Sequence, residues 1–262
     1  MAGSLWRHRN LIWQMTKRDV VGRYRGSVMG ILWSFFNPVL MLAVYTFVFS
    51  VVFKARWSAE SESKTEFAIV LFVGMIVHAL FSECVIKAPG LILGNINYVK
   101  KVVFPLEILP WITLGSAAFH MVVSTSVLLA FYAMVHGSLQ WTIIFLPLII
   151  APLGLLTLGF SWFLASVGVY LRDVGQTVGI LTTVLMFFSP VFYPVSALPQ
   201  DYQLLLQLNP LTFIIEQGRE VLVWGHMPDW SGLGRYWFYA TLIAWLGFAW
   251  FQKTRPGFAD VV

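Results

Sequence analysis

Charge is what this 262-residue chain has least of: only 11% of its residues are Asp, Glu, Lys or Arg. A soluble domain carries about 25%. With 58% hydrophobic residues and a mean hydropathy of +0.77, most of the surface cannot be built to face water. Long apolar runs recur over the whole length, which excludes a soluble domain with a single anchor. Cysteine is nearly absent. The lone Cys84 lies in an apolar run, so an intrachain disulfide and a cysteine-built metal site are both excluded, and it reads as a small buried apolar side chain. No G-x-x-x-x-G-K-[ST] phosphate loop, G-x-S-x-G elbow or H-E-x-x-H pair is present, which removes the corresponding hydrolytic routes. The five histidines, His8, His78, His120, His136 and His226, lack ligand spacing, and no metal site is expected. His78 and His120 fall in apolar runs and read as hydrogen-bonded core or interface residues. Apart from Glu83 those runs lack carboxylates, which argues against an ion-coupled carrier. The first 25 residues are too charged and broken for a cleavable signal peptide. The net charge of +5 is explained by topology and anionic lipid rather than by nucleic acid.

What is present begins with residues 18–53. Arg18, Arg23 and Arg25 run directly into Ile31–Phe53, 23 residues without a charge. At 1.5 Å per residue that run crosses a hydrocarbon core of about 30 Å, and the arginines mark the cytoplasmic side. Before it, residues 5–25 read as an amphipathic helix lying in the interface. Trp6, Trp13, Val20 and Tyr24 form one stripe, with Arg7, Gln14, Arg18 and Arg25 beside it. Gly26 and Gly30 permit a bend into the span.

Further spans are expected at Phe67–Ile86, Ile108–Val135, Trp141–Tyr170 (interrupted by Pro147 and Pro152), Thr177–Tyr193 and Tyr236–Phe251. Glu83 and Lys87 can pair four residues apart. Between the second and third spans, Pro89, Gly90, Gly94 and Asn95 break a basic connection. Residues 194–232 hold two short helices, the second opened by Asn209-Pro210, that enter the membrane part-way or lie at its edge. The expected fold is an all-α integral membrane protein. Residues 1–30 form the cytoplasmic interface helix; residues 31–262 form six spans, with extracytoplasmic re-entrant helices in 194–232. Of 17 Lys and Arg residues, this topology puts twelve inside and five outside, so both termini are expected in the cytoplasm.

The remaining signal is aromatic: 22 Phe, 12 Trp and 9 Tyr. Phe35, Tyr45 and Phe49 share a face of the first span, and Phe187, Phe188, Phe192 and Tyr193 cluster at the end of the fifth. Most such residues serve packing or interfacial belts. Together they also suit a conduit of flat apolar faces over which sugar or lipid could slide.

The run YRGSVMGILWSFFNPVLMLAVYTFVFSVVF, followed by YLRDV, FFSPVFYPVSALP and LNPLTFIIEQGREVLVWG, resembles the permease subunit of polysaccharide-exporting ATP-binding-cassette transporters. This is the O-antigen (Wzm-like), capsule and teichoic-acid export family, and the likeness covers essentially the whole chain. The resemblance implies a non-enzymatic homodimer of the bacterial inner membrane, working with two copies of a separate ATPase subunit that holds ATP and Mg. A lipid-linked glycan would pass between the protomers, lined by Phe35, Tyr45, Phe49, Phe187, Phe188 and Phe192. Arg18, Arg23 and Arg25 would flank the portal for its pyrophosphate, since guanidinium forks bind phosphate bidentately; orientation and anionic lipid contact account for them equally well. Lys100, Lys101, Arg172 and Asp173 would meet the ATPase, although Arg172 and Asp173 also read as a simple charge pair. Residues 194–232 would form an outer gate, in which Glu216, Arg219 and Glu220 are spaced to pair on one helical face. The alternatives are a permease for a drug or small lipid, a membrane enzyme acting on lipid-linked sugars, and a passive channel.

Overall fold

The computed structural model describes residues 2–53, 57, 65–100 and 104–261. Among them every regular element is helical. In order these are α1 (Ala2–Arg7), α2 (Arg9–Arg23), α3 (Trp33–Tyr45), α4 (Glu66–Lys87), α5 (Ile96–Lys100), α6 (Leu109–His136), α7 (Leu146–Tyr170), α8 (Val174–Phe187), α9 (Gln200–Leu208), α10 (Pro210–Arg219), α11 (Trp230–Thr254) and α12 (Phe258–Val261).

Helix α4 is the axis of the molecule. It is buried along almost its whole length, with Glu66 in its first turn and Lys87 in its last, each complementing the helix dipole. Helices α3, α6, α7, α8 and α10 pack around it. Pro110 and Pro147 sit in the first turns of α6 and α7, where the missing N–H costs nothing, and Gly137 ends α6 in the left-handed region at φ 78°. Pro152 does not interrupt α7, which runs through it. Glycines let α7 and α11 touch backbone to backbone. A Cβ at Gly159 would lie 2.6 Å from the Ile243 carbonyl oxygen, and one at Gly247 would collide with the Gly159 carbonyl. Close contact of this kind replaces the hydrophobic drive that lipid cannot supply.

Four stretches among the described residues are long and apolar enough to cross a membrane: Gly30–Phe49, Glu66–Gly90, Leu106–His136 and Trp141–Tyr170. The first is a composite. A 3-10 turn over Gly30–Leu32 enters α3, and a π-helical segment, Thr46–Val52, continues it. Gly26 and Gly30 both take positive φ at the bend, as their placement suggested. The expected fifth span is shorter as a helix than the apolar run implied. α8 has 14 residues, roughly 21 Å, and the chain turns at Phe188. α11 is longer than expected, with 25 residues, roughly 37 Å.

The N-terminal segment departs most from its expected placement. It breaks at His8, and α2 runs beside α6 rather than alone. Ser4 bonds Glu107, Thr16 sits where a Gly115 side chain would be, and Arg23 reaches His120. The two helices therefore run parallel, and Arg23 stands 13 residues of chain, roughly 20 Å of helix rise, beyond Glu107. The proposed stripe divides: Trp6 and Trp13 are exposed, whereas Val20 and Tyr24 turn towards α6. Thr16 and Val20 are the helix's buried residues, so contact with α6 and not lipid sets its inner face.

Candidate functional site

Exposed apolar surfaces lie on α3, on α8 and on α11, where Phe238, Tyr239, Trp245 and Leu246 face outward. On α3 and its flanking turns Ile31, Phe35, Phe36, Val39, Leu40 and Phe47 are exposed, Phe35 by 52%. On α8 Ile180, Leu181, Val184, Phe187 and Phe188 are exposed, the two phenylalanines by 57% each. Neither α3 nor α8 carries a charged residue. The first-span aromatics do not all share this surface. Tyr45 packs towards α4 at 6.5 Å from the Phe72 ring centroid, and Phe49 stacks on Phe67 at 5.2 Å. Leu42, three residues before Tyr45, is buried, so α3 rests on α4 through that face, while Phe35 points away. Phe192 folds back to stack on Phe187 at 5.8 Å.

The basic residues separate as well. Arg18 donates to the Tyr98 hydroxyl at 3.3 Å, and Arg25 is exposed without a side-chain partner among the described residues. Arg23 enters a polar cluster that charge spacing alone only half revealed. Glu83 on α4 receives Arg23 on one oxygen together with Lys87 at 2.9 Å, and His120 Nδ1 lies 3.2 Å from the other oxygen. The Tyr24 hydroxyl lies 3.2 Å from His120 Nε2. Arg23 Nη1 also lies 3.0 Å from His120 Nδ1, so that nitrogen meets both the guanidinium and the carboxylate. One carboxylate then faces two fixed cations, leaving the cluster with a net positive charge. The Glu83–Lys87 pairing matches its spacing. The contributions of Arg23 and His120 were invisible in sequence because they join residues 60 and 37 positions away from Glu83. His78 is buried, and its Nε2 donates to the Thr182 carbonyl oxygen at 3.2 Å.

Arg172 and Asp173 are exposed at the turn between α7 and α8 and form no ion pair with each other. Lys101 and the side chain of Lys100 lie outside the described residues. A second staple holds the chain ends: Glu107 accepts from Ser4 Oγ at 3.1 Å on one oxygen and from Arg255 Nη1 at 2.9 Å on the other.

At the opposite end of α4 the three charged residues of α10 and its extension behave differently from their spacing. Glu216, Arg219 and Glu220 do not pair with one another. Arg219 is 1% exposed, donating from Nε to Val70 O at 3.0 Å and from Nη2 to Val191 O at 3.1 Å, with its guanidinium carbon 4.3 Å from the Trp57 ring centroid. Gly74 leaves the space: a Cβ there would stand 3.1 Å from Nη2. Glu220 turns to His226 at 2.6 Å. Beyond Arg219 the chain switches to a π-helical segment, Glu220–Trp224, whose Val221 and Val223 carbonyls accept from Thr142 Oγ1 and the Tyr132 hydroxyl at 2.7 and 3.0 Å. Asn209 caps α10 as its position suggested, accepting from Leu211 N at 2.9 Å, and its amide also donates to Phe188 O at 2.9 Å. No cluster of His, Cys, Asp or Glu suited to a metal occurs among the described residues.

Four apolar stretches of spanning length around one buried axial helix define an integral membrane protein. The chain belongs to the ABC-2 type transporter family, whose pattern matches residues 10–223. It is 27% identical over 262 residues to the O-antigen export system permease protein RfbA of Myxococcus xanthus, covering 99% of this chain and 98% of that one. It is 24% identical over 256 residues to the RfbA protein of Klebsiella pneumoniae, covering 97% and 95%. Identity to the Polysialic acid transport protein KpsM of Escherichia coli is 23% over 243 residues, covering 91% and 90%.

Proposed function

We propose that the chain is the permease subunit of an ATP-driven exporter that moves lipid-linked polysaccharide, O-antigen in particular, across the bacterial inner membrane. The observation that carries this reading is the pair of exposed, charge-free aromatic faces on α3 and α8. Lipid covers such faces on an isolated span, and flat aromatic faces without charge also suit a second helix or a sugar ring. A second copy of the chain would supply that helix, enclosing a conduit between two protomers. Phe35, Phe187 and Phe188 would meet the glycan directly, with Tyr45, Phe49 and Phe192 backing them.

The chain would carry no nucleotide. Two copies of a separate ATPase subunit, with ATP and Mg, would dock at the cytoplasmic end through Arg172, Asp173, Lys100 and Lys101. The surplus positive charge around Arg23, together with Arg18 and exposed Arg25, suits the pyrophosphate of an incoming lipid-linked glycan. Residues 194–232 would gate the outer end. The six-span topology, with α8 and α11 completing the count and both termini in the cytoplasm, belongs to the same reading.

The test is genetic and biochemical together. Cells lacking the chain should accumulate lipid-linked glycan inside. Export should return only when chain and ATPase subunit are both supplied, and the two should co-purify. Export restored by the chain without ATP hydrolysis would sink the proposal in favour of a passive channel.

A further inference from the structure

A cavity of about 550 Å³ opens between the end of α10, the turn after α8 and Trp57. Its size lies within the range of about 300–1,000 Å³ typical of small-molecule sites. It stands at the end of α4 away from Glu83: Arg219 in its wall bonds Val70, 13 residues, roughly 20 Å of helix, from the Glu83 cluster.

The wall combines indole rings with polar groups that the fold leaves unused. The half-buried Glu216 carboxylate accepts no hydrogen bond and forms no ion pair among the described residues. Arg219 is 1% exposed and spends Nε and Nη2 on carbonyls, while Nη1 donates to no described residue. Gln217 uses its Oε1 to accept from Asp229 N at 2.7 Å, leaving its amide N–H donors free. Gln203 donates to Leu198 O at 2.8 Å, leaving its carbonyl free. Trp57 and Trp224 complete the lining. Beside the cavity, the Val221 and Val223 carbonyls accept from Thr142 and Tyr132, and Arg219 is fixed by two carbonyls.

A half-buried carboxylate and an incompletely used buried guanidinium need water or a ligand to satisfy them, and a ligand that displaces that water must reproduce its hydrogen bonds. Burial holds the Glu216 carboxyl above its ordinary range, which Arg219 opposes and Glu220 reinforces. The chemistry that matches is a ring with several neutral hydroxyls. Its hydroxyls accept from Arg219 and the Gln217 amide and donate to Glu216 and the Gln203 carbonyl, while its C–H faces lie against indole. Two carboxylates in the wall, Glu216 and Glu220, repel an anionic ligand. We propose that this cavity is a binding site for a neutral saccharide unit, separate from the conduit between protomers. The proposal rests on the polysaccharide-export reading and assigns the glycan a resting point within each protomer.

The test uses the full chain in lipid nanodiscs. The probes are neutral trisaccharides of mannose, galactose, rhamnose and N-acetylglucosamine, with a sialic acid trisaccharide as the anionic control, followed by saturation-transfer NMR and titration. At least one neutral probe should bind and the anionic one should not. Glu216→Gln, and Ser196→Trp, which fills the cavity from its exposed rim, should each weaken binding at least tenfold while eluting as the parent does. Should Ser196→Trp fail to fold, Glu216→Gln decides alone. Binding by no neutral probe, or binding unchanged in the variants, overturns the site. Export assayed in parallel in cells depending on the chain separates the two readings. Chain-dependent export without cavity binding defeats only the site, and export that does not need the chain defeats the transport proposal itself.

Discussion

Glu83 and Glu216 are carboxylates of opposite fortune. Glu83 is shared by two cations and an imidazole, so Glu83→Gln leaves Arg23 and Lys87 facing each other without a counter-charge. Hydrogen bonds to charged groups contribute about 1.5–3 kcal/mol. Thermal unfolding in detergent should register a destabilisation of that order, and limited proteolysis should find α2 released from α6. Glu216 is expected to behave in reverse. Because burial raises its pKa in the folded state, the folded protein holds this proton to higher pH than the unfolded chain, whose value is about 4.3. Stability therefore falls as pH rises through that window and stays reduced above it. Glu216→Gln removes the effect. Its melting temperature should exceed the parent's at pH 7–8, and the difference should vanish below about pH 4. A variant that melts below the parent at neutral pH would contradict the account.

At the scale of elements, the α7–α11 contact depends on the absence of side chains. Gly159→Ala should destabilise by about 1–3 kcal/mol, because a Cβ would meet the Ile243 backbone. Gly234→Ala, also in α11 but with open space around it, should stabilise by about 0.5–1 kcal/mol through helix propensity. Differential melting of the two variants checks both. This contact also shows where sequence reading stops. Apolar runs marked α3, α4, α6 and α7, and Asn209-Pro210 marked the start of α10, because hydropathy and capping are local properties. A glycine that admits a neighbouring backbone looks the same as one that faces open space. For the same reason Glu83 and Lys87 were legible four residues apart, whereas their partners Arg23 and His120 were not. Glu216, Arg219 and Glu220 are spaced to pair on one helical face, but Arg219 turns instead to the Val70 and Val191 carbonyls and the Trp57 ring, partners that local spacing cannot show. The aromatic stripe of the first span was legible as a face, but not that Tyr45 and Phe49 would be covered by α4 while Phe35 remained open.

At the scale of the whole molecule, the two ends of α4 face different chemistries: a basic cluster at one and a carboxylate-bearing cavity at the other. If the cavity faces outward, a cysteine at Ser196 should react with a membrane-impermeant maleimide in intact cells, whereas one at Arg172 should react only after permeabilisation. Native Cys84, 1% exposed, should stay silent in both. Equal labelling of both sites before permeabilisation would overturn that orientation. The Glu107 staple adds a constraint that charge counting does not. One carboxylate holds both Ser4 and Arg255, so these two residues lie at the same end of the bundle. Segments 251 residues apart in sequence are therefore neighbours in space. Halves of a split fluorescent protein fused beyond them should complement within one chain, at any dilution, and their glow would report the bundle closing on itself.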